Sequence, residues 1–213
     1  MRGLYALKPW YTNRLASVLR FAVARDISPD VFTAVGVVSA LGAGVAIAYG
    51  SWVLAFVLLA GRLAGANLDG AVARAQGVSR PWGFVLNELG DRAGDFAMFA
   101  GLAVLATRNG DIGWGSDWAT GWVLVATICA TLPTFVSVSG AGAGAQRLNG
   151  GPFGKTERCA AVILATAVPA WIPVISIVII AGSVLTACTR LRSIHGALSA
   201  SPSDPAATSA GHR

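Results

Sequence analysis

The sequence predicts an all-α integral membrane protein: six transmembrane helices preceded by an N-terminal amphipathic helix lying in the interface. Three observations predict it. Apolar residues fill 54% of the 213 positions and charged residues only 12%, roughly half the charged share of a soluble domain. The apolar residues collect in repeated runs on the scale of a ~30 Å hydrocarbon core, and mean hydropathy is +0.63. Basic residues gather on one side of the predicted spans, which also accounts for the formal net charge of +6. Anionic headgroups explain that charge better than nucleic acid, for which no motif is present.

Residues 8–25 come first. Trp10, Leu15, Val18, Leu19 and Ala22 fall near one helical face, with Asn13, Arg14 and Arg20 mostly off it, the pattern of a helix in the membrane interface. Ser28-Pro29-Asp30 then marks a turn and a helix start. Spans follow at about 31–49, 52–75, 82–107, 118–140, 156–170 and 171–190. The fifth is short, and Pro169 and Pro173 place a tight turn between it and the sixth, with Trp171 at the interface. Trp52, Trp82, Trp118 and Trp122 stand near other span ends, as an aromatic belt requires. The membrane domain covers 1–195, and the Ser/Pro/Ala/Thr tail at 196–213 reads as disordered.

With the N-terminus in the cytoplasm, the run from Arg2 to Arg25 and Arg74, Arg80, Arg147, Lys155, Arg158, Arg190 and Arg192 all lie on the cytoplasmic side. Arg108 alone falls in an outer loop, beside Asp111 and Asp117. Both termini and the mouth of any site near residues 69–91 are then cytoplasmic, and a plasma membrane is the expected location. No cleavable signal peptide is visible. Cys129, Cys159 and Cys188 sit in apolar segments at spacings that suit neither a disulfide framework nor a zinc site. His195 and His212 show no metal-ligand spacing.

Only ten side chains are acidic, so those inside spans are informative: Asp69, Glu88, Asp91 and Asp95. Ionisable groups at membrane depth are costly and point to function. Gly70, Ala73 and Arg74 follow Asp69. Asn87, Asp91 and Asp95 share a face at i, i+4 and i+8, with Gly83 one turn earlier. Spans two and three, antiparallel and joined by 76–81, bring these faces together. Clustered carboxylates suit a hard divalent cation such as Mg²⁺ or Mn²⁺, which neutralises a pyrophosphate during its cleavage. Small residues at 70, 73 and 83 admit a nucleotide to the helix backbones, and Arg74 is placed to bind phosphate.

The segment L68-D-G-A-V-A-R74, eight further residues, Gly83 and then N87-E-L-G-D-R92 resembles the signature of the CDP-alcohol phosphotransferases, D-x-x-D-G-x-x-A-R-x8-G-x3-D-x3-D. Ser28-Pro29-Asp30-Val31-Phe32-Thr33 resembles the S-P-N-x-x-T stretch that often opens the family's first span. The resemblance covers about residues 8–192. It implies transfer of a phosphatidyl or related group from a CDP-linked donor, CDP-diacylglycerol above all, to an alcohol, with release of CMP in phospholipid biosynthesis. It also implies a homodimer. By the resemblance, Asp69, Asn87 and Asp91 hold metal and Asp91 serves as the base for the acceptor hydroxyl. Asp69, Gly70, Ala73, Arg74 and Gly83 form the CDP cradle. Basic residues in the region of Arg147, Lys155 and Arg158 meet an acceptor phosphate where the acceptor carries one; ordinary positive-inside charge is the other reading.

Two positions depart from the signature. Its first aspartate falls at Ala66 and its third at Asn87. Asn87 keeps a neutral carbonyl oxygen, but a two-metal site has lost two negative charges. Asp95, Glu88 and Asn67 are the nearby candidates for replacement. Asp95 joins the expected metal ligands on this ground, with pairing to Arg62, predicted opposite it, as the alternative. Glu88 has the alternative of a structural role, and Asn67 that of helix packing. A shifted alignment, with Asp91 and Asp95 as the last two aspartates, needs four extra residues after Arg74. The functional reading is therefore an enzyme, with a catalytically impaired relative that binds CDP-lipid or serves as a partner subunit as the alternative.

Overall fold

The computed structural model describes residues 8–78, 80–109 and 116–200. Arg2, Asp111, His212 and the tail from 201 lie outside them. All regular structure among the described residues is helical: α1 (Lys8–Arg14), α2 (Ala16–Ala24), α3 (Pro29–Ala48), α4 (Trp52–Ala75), α5 (Pro81–Arg108), α6 (Ser116–Gly142), α7 (Lys155–Ala167) and α8 (Ile172–Ala200).

The predicted interfacial helix is two short helices, interrupted at Leu15. Ala22 is buried against the bundle, while Trp10, Val18 and Phe21 remain exposed, as a helix lying on a lipid surface requires. The Tyr11 hydroxyl donates to the Ala60 carbonyl at 3.1 Å and ties this segment to α4. The helix start read from Ser28-Pro29-Asp30 is present: Ser28 Oγ accepts from the Asp30 N–H at 3.3 Å, and Pro29 opens α3.

Among the described residues four helical segments are long and apolar enough to cross a membrane: Pro29–Ala48, Trp52–Ala75, Asp117–Gly142 and Pro169–Ser199. The third and fifth expected spans differ from these for separate physical reasons. α5 has 28 residues, about 42 Å at 1.5 Å each, but it carries Glu88, Asp91, Arg92 and Asp95. α7 has 13 residues, about 20 Å, which is short of a ~30 Å core. The turn expected near Pro169 is a single 3₁₀ turn, Pro169–Trp171, with Trp171 exposed. α8 runs on to Ala200, past the predicted boundary at 195, because Ala197, Leu198 and Ala200 are good helix formers.

The bundle is packed on small residues. α3 lies against both α4 and α5, α6 pairs with α8, and α7 touches α4, α5 and α8. A Cβ on Gly65 would stand 2.6 Å from the Phe32 carbonyl oxygen, and one on Gly101 would run into the Gly44 carbonyl. Helix backbones thus touch at both α3 seams, the mode by which small residues drive association in lipid. Trp52, Trp82, Trp118 and Trp171 stay exposed near helix ends. These seams bring the start of α3, the end of α4 and the starts of α5 and α7 to one end of the bundle, where the motif residues lie.

Candidate functional site

A cleft of about 610 Å³ opens at this end, within the range of small-molecule and cofactor sites. All five expected nucleotide residues line it: Asp69, Gly70, Ala73, Arg74 and Gly83. Helical spacing explains their meeting. Two successive turns near the end of α4 carry Asp69, Gly70, Ala73 and Arg74, and the first turn of α5 carries Gly83. Arg74 folds back over Gly70, where an added Cβ would lie 3.1 Å from the guanidinium. The opposite wall includes Asp30 at the start of α3, ion-paired to Arg80 at the start of α5.

Deeper in, a recess of about 10 Å³ is lined by Thr33, Ala66, Asp69, Asn87, Asp91 and their neighbours. Its volume is on the scale of one water molecule. Asp69 is held in place: the Thr33 hydroxyl donates to Oδ2 at 3.1 Å, and the Gly70 N–H donates to Oδ1. Thr33 belongs to the S-P-x-x-x-T stretch, yet its contact with Asp69 across 36 positions was not visible from spacing. Ala66 lines the recess with a methyl group where the signature has an acid.

Asp95 is placed differently from its expected ligand role. Its Oδ1 accepts from Arg62 at 2.6 Å, and its Oδ2 meets Arg92 and Arg158 at 2.9 Å each. Its side chain is 3% exposed, as is that of Arg158, while that of Arg62 is 2% exposed. Both carboxylate oxygens are thus committed to three guanidiniums, and a divalent cation would meet concentrated positive charge there. The pairing alternative is the one the geometry carries. Gly94 leaves the room: a Cβ there would lie 2.8 Å from Arg62 Nε and 2.9 Å from the Ala40 Cβ, so a larger residue would push the guanidinium or α3 aside. Arg62 also donates to the Asp91 carbonyl at 2.9 Å and so braces the backbone behind the recess.

Arg147, Lys155 and Arg158 do collect on one side of the cluster, but each engages a carboxylate of α5. Arg147 pairs with Glu88, Lys155 with Asp91 at 2.5 Å, and Arg158 with Asp95. The three acids at i, i+3 and i+7 form one stripe, and the segment from 147 to 158 supplies a cation to each. Arg147 and Lys155 keep 28% and 22% of their side chains exposed, whereas Arg158 is inside. Glu88 is thereby a partner of Arg147, and Asn67 is buried and lines neither cavity. Among the described residues no group of three or more His, Cys, Asp or Glu side chains is arranged to hold a metal. What the recess offers is Asp69, Asp91, the Asn87 carbonyl and the Thr33 hydroxyl, an all-oxygen donor set that suits one hard divalent cation.

No family model matches this chain. Phosphatidylinositol phosphate synthase of Mycolicibacterium smegmatis is 30% identical over 162 residues, covering 72% of this chain and 68% of that protein. The inner membrane protein YnbA of Escherichia coli is 26% identical over 164 residues, covering 73% and 74%. The crystal structure of Mycobacterium tuberculosis phosphatidylinositol phosphate synthase with CDP-DAG bound superposes with a TM-score of 0.69 at 22% identity, over 84% of this chain and 92% of that one. The same enzyme in complex with manganese and citrate gives a TM-score of 0.69 at 21% identity.

Proposed function

Because the chain belongs to the CDP-alcohol phosphatidyltransferase family, we propose that it transfers a phosphatidyl group from CDP-diacylglycerol to an alcohol and releases CMP. The observation that carries this reading is the meeting of Asp69, Gly70, Ala73, Arg74 and Gly83 along one ligand-sized cleft, with Asp91 in the recess beneath it.

Each part of the chemistry has a candidate residue. Gly70, Ala73 and Gly83 leave room for the nucleotide against the α4 and α5 backbones. Arg74 offers a guanidinium to the phosphates. Asp69, Asn87 and Asp91 would hold a divalent cation, Mg²⁺ or Mn²⁺, which when bound supplies charge neutralisation at the pyrophosphate. The acceptor oxygen forms a bond to the phosphorus that bears the diacylglycerol, the bond from that phosphorus to the CMP oxygen breaks, and Asp91 takes the acceptor's proton. An anionic acceptor would meet Arg147 and Lys155, which stay partly exposed while pairing with Glu88 and Asp91. Arg158 is committed to Asp95 and acts in packing.

In the same reading α5 and α7 complete a six-helix membrane domain around the site, with both termini cytoplasmic in the plasma membrane. Two copies pair as a homodimer. α5 crosses with its charged half turned to protein partners, as Asp95 is.

The test is release of CMP from CDP-diacylglycerol by the purified protein, with Mg²⁺ or Mn²⁺ and a panel of alcohols. Release that depends on metal and acceptor supports the enzyme. A second reading is favoured by Ala66 and Asn87: a relative that binds CDP-lipid without turnover. It requires no CMP release with any acceptor, while CDP-diacylglycerol still raises the melting temperature.

A further inference from the structure

We propose that the Lys155 ammonium is the built-in counter-ion of Asp91, standing where a second divalent cation would otherwise be needed, so that this site takes one divalent cation. The inference rests on the metal reading above and deepens it.

Four observations converge. Lys155 Nζ lies 2.5 Å from Asp91 Oδ1, and each side chain is 22% exposed, so the pair is sheltered but not sealed. Lys155 is the first residue of α7, and the turn that delivers it is fixed by the Gly154 N–H donating to Glu157 Oε2 at 2.9 Å. Ala66, which shares the recess with Asp91, brings no charge, and Asn87 brings only a neutral carbonyl. The one further carboxylate deeper on this face of α5, Asp95, is enclosed by three arginines.

Charge decides the capacity. The recess carries Asp69 and Asp91, and Lys155 cancels one of them. Arg62, which also lines it, shares the single charge of Asp95 with Arg92 and Arg158, so that cluster adds no negative charge to the recess. Two divalent cations would bring four positive charges against a remaining charge of at most minus one, in a space of about 10 Å³. One divalent cation is compatible, with the donor's pyrophosphate completing the neutralisation. Held this close to Asp91, the ammonium competes with the cation for the carboxylate, and so it weakens the affinity of the cation that does bind.

The experiment is Mn²⁺ binding followed by electron paramagnetic resonance on the full-length protein in detergent, without acceptor. The wild type should bind one Mn²⁺ per chain. Lys155→Met and Lys155→Gln should each tighten Mn²⁺ binding by about tenfold or more, because Asp91 is released to the metal. Two Mn²⁺ per wild-type chain, or no tightening in both variants, would overturn the proposal. Asp69→Asn separates the two levels of argument. If it abolishes Mn²⁺ binding, the metal site stands whatever the Lys155 variants do. If it leaves binding unchanged, the metal reading falls and this proposal falls with it.

Discussion

The guanidinium of Arg62 reaches from α4 to the carboxylate of Asp95 on α5 at 2.6 Å, with both side chains at most 3% exposed. Two further arginines close on the same carboxylate. The pair locks α4 to α5 directly behind the recess, and it withdraws from metal binding the acid that lies one turn further along α5 from Asp91.

Asp95→Asn should therefore be a stability variant. It removes the charge that compensates Arg62 and Arg158 inside the bundle, a loss of about 3–5 kcal/mol for a broken buried pair. Thermal unfolding in detergent should show a large drop in melting temperature. The fraction that remains folded should still bind Mn²⁺, more weakly because Arg62, which lines the recess, loses its counter-charge, and complete loss of binding in folded protein would return Asp95 to the ligand set.

Restoring the missing acids gives a second outcome. With Asp95 committed elsewhere, Ala66→Asp combined with Asn87→Asp adds two carboxylates to a recess that has only Asp69 and Asp91. Mn²⁺ affinity and CMP release should both rise by tenfold or more, in the direction Coulomb attraction sets. Flat or reduced values in a folded double variant would mean that the recess cannot hold more charge, with one added acid protonated.

Donor binding gives a third. CDP-diacylglycerol with Mn²⁺ should raise the melting temperature, and Arg74→Ala should remove most of that shift while leaving the unliganded protein as stable as before, since Arg74 is exposed over Gly70. An undiminished shift would move the nucleotide out of this cleft.

The helix seams can be tested independently of the chemistry. Gly101→Ala forces a methyl group into the Gly44 carbonyl and should destabilise the bundle by about 1–3 kcal/mol. Gly121→Ala, which meets nothing within 4 Å, is the control and should be neutral or slightly stabilising. Equal effects at both positions would refute backbone contact at the α3–α5 seam.

Topology gives the last outcome. In a cysteine-free background, Asp111→Cys and Asp204→Cys should be labelled from opposite sides of the membrane. Labelling from the same side would sink the six-span arrangement.

By itself the sequence determined the class and much of the cleft. Apolar runs do not depend on their neighbours to declare a membrane helix, and a gapped motif on two helices fixes which residues share a face. Asp69, Gly70, Ala73, Arg74 and Gly83 met where helical spacing placed them, and the start of α3 was legible in Ser28-Pro29-Asp30. The tertiary structure decided what each charge is spent on. Spacing placed Arg62 opposite Asp95 but left pairing and metal ligation equally open. Arg92 reaches Asp95 within α5 at i, i+3, but spacing could not show Arg158 on the same carboxylate, nor Lys155 on Asp91 from 64 positions away. Those pairings depend on how α7 docks against α4 and α5, and on Gly94 leaving room for a guanidinium. In a low-dielectric bundle a carboxylate's role is set by the nearest cation, and for α5 those cations come largely from other helices.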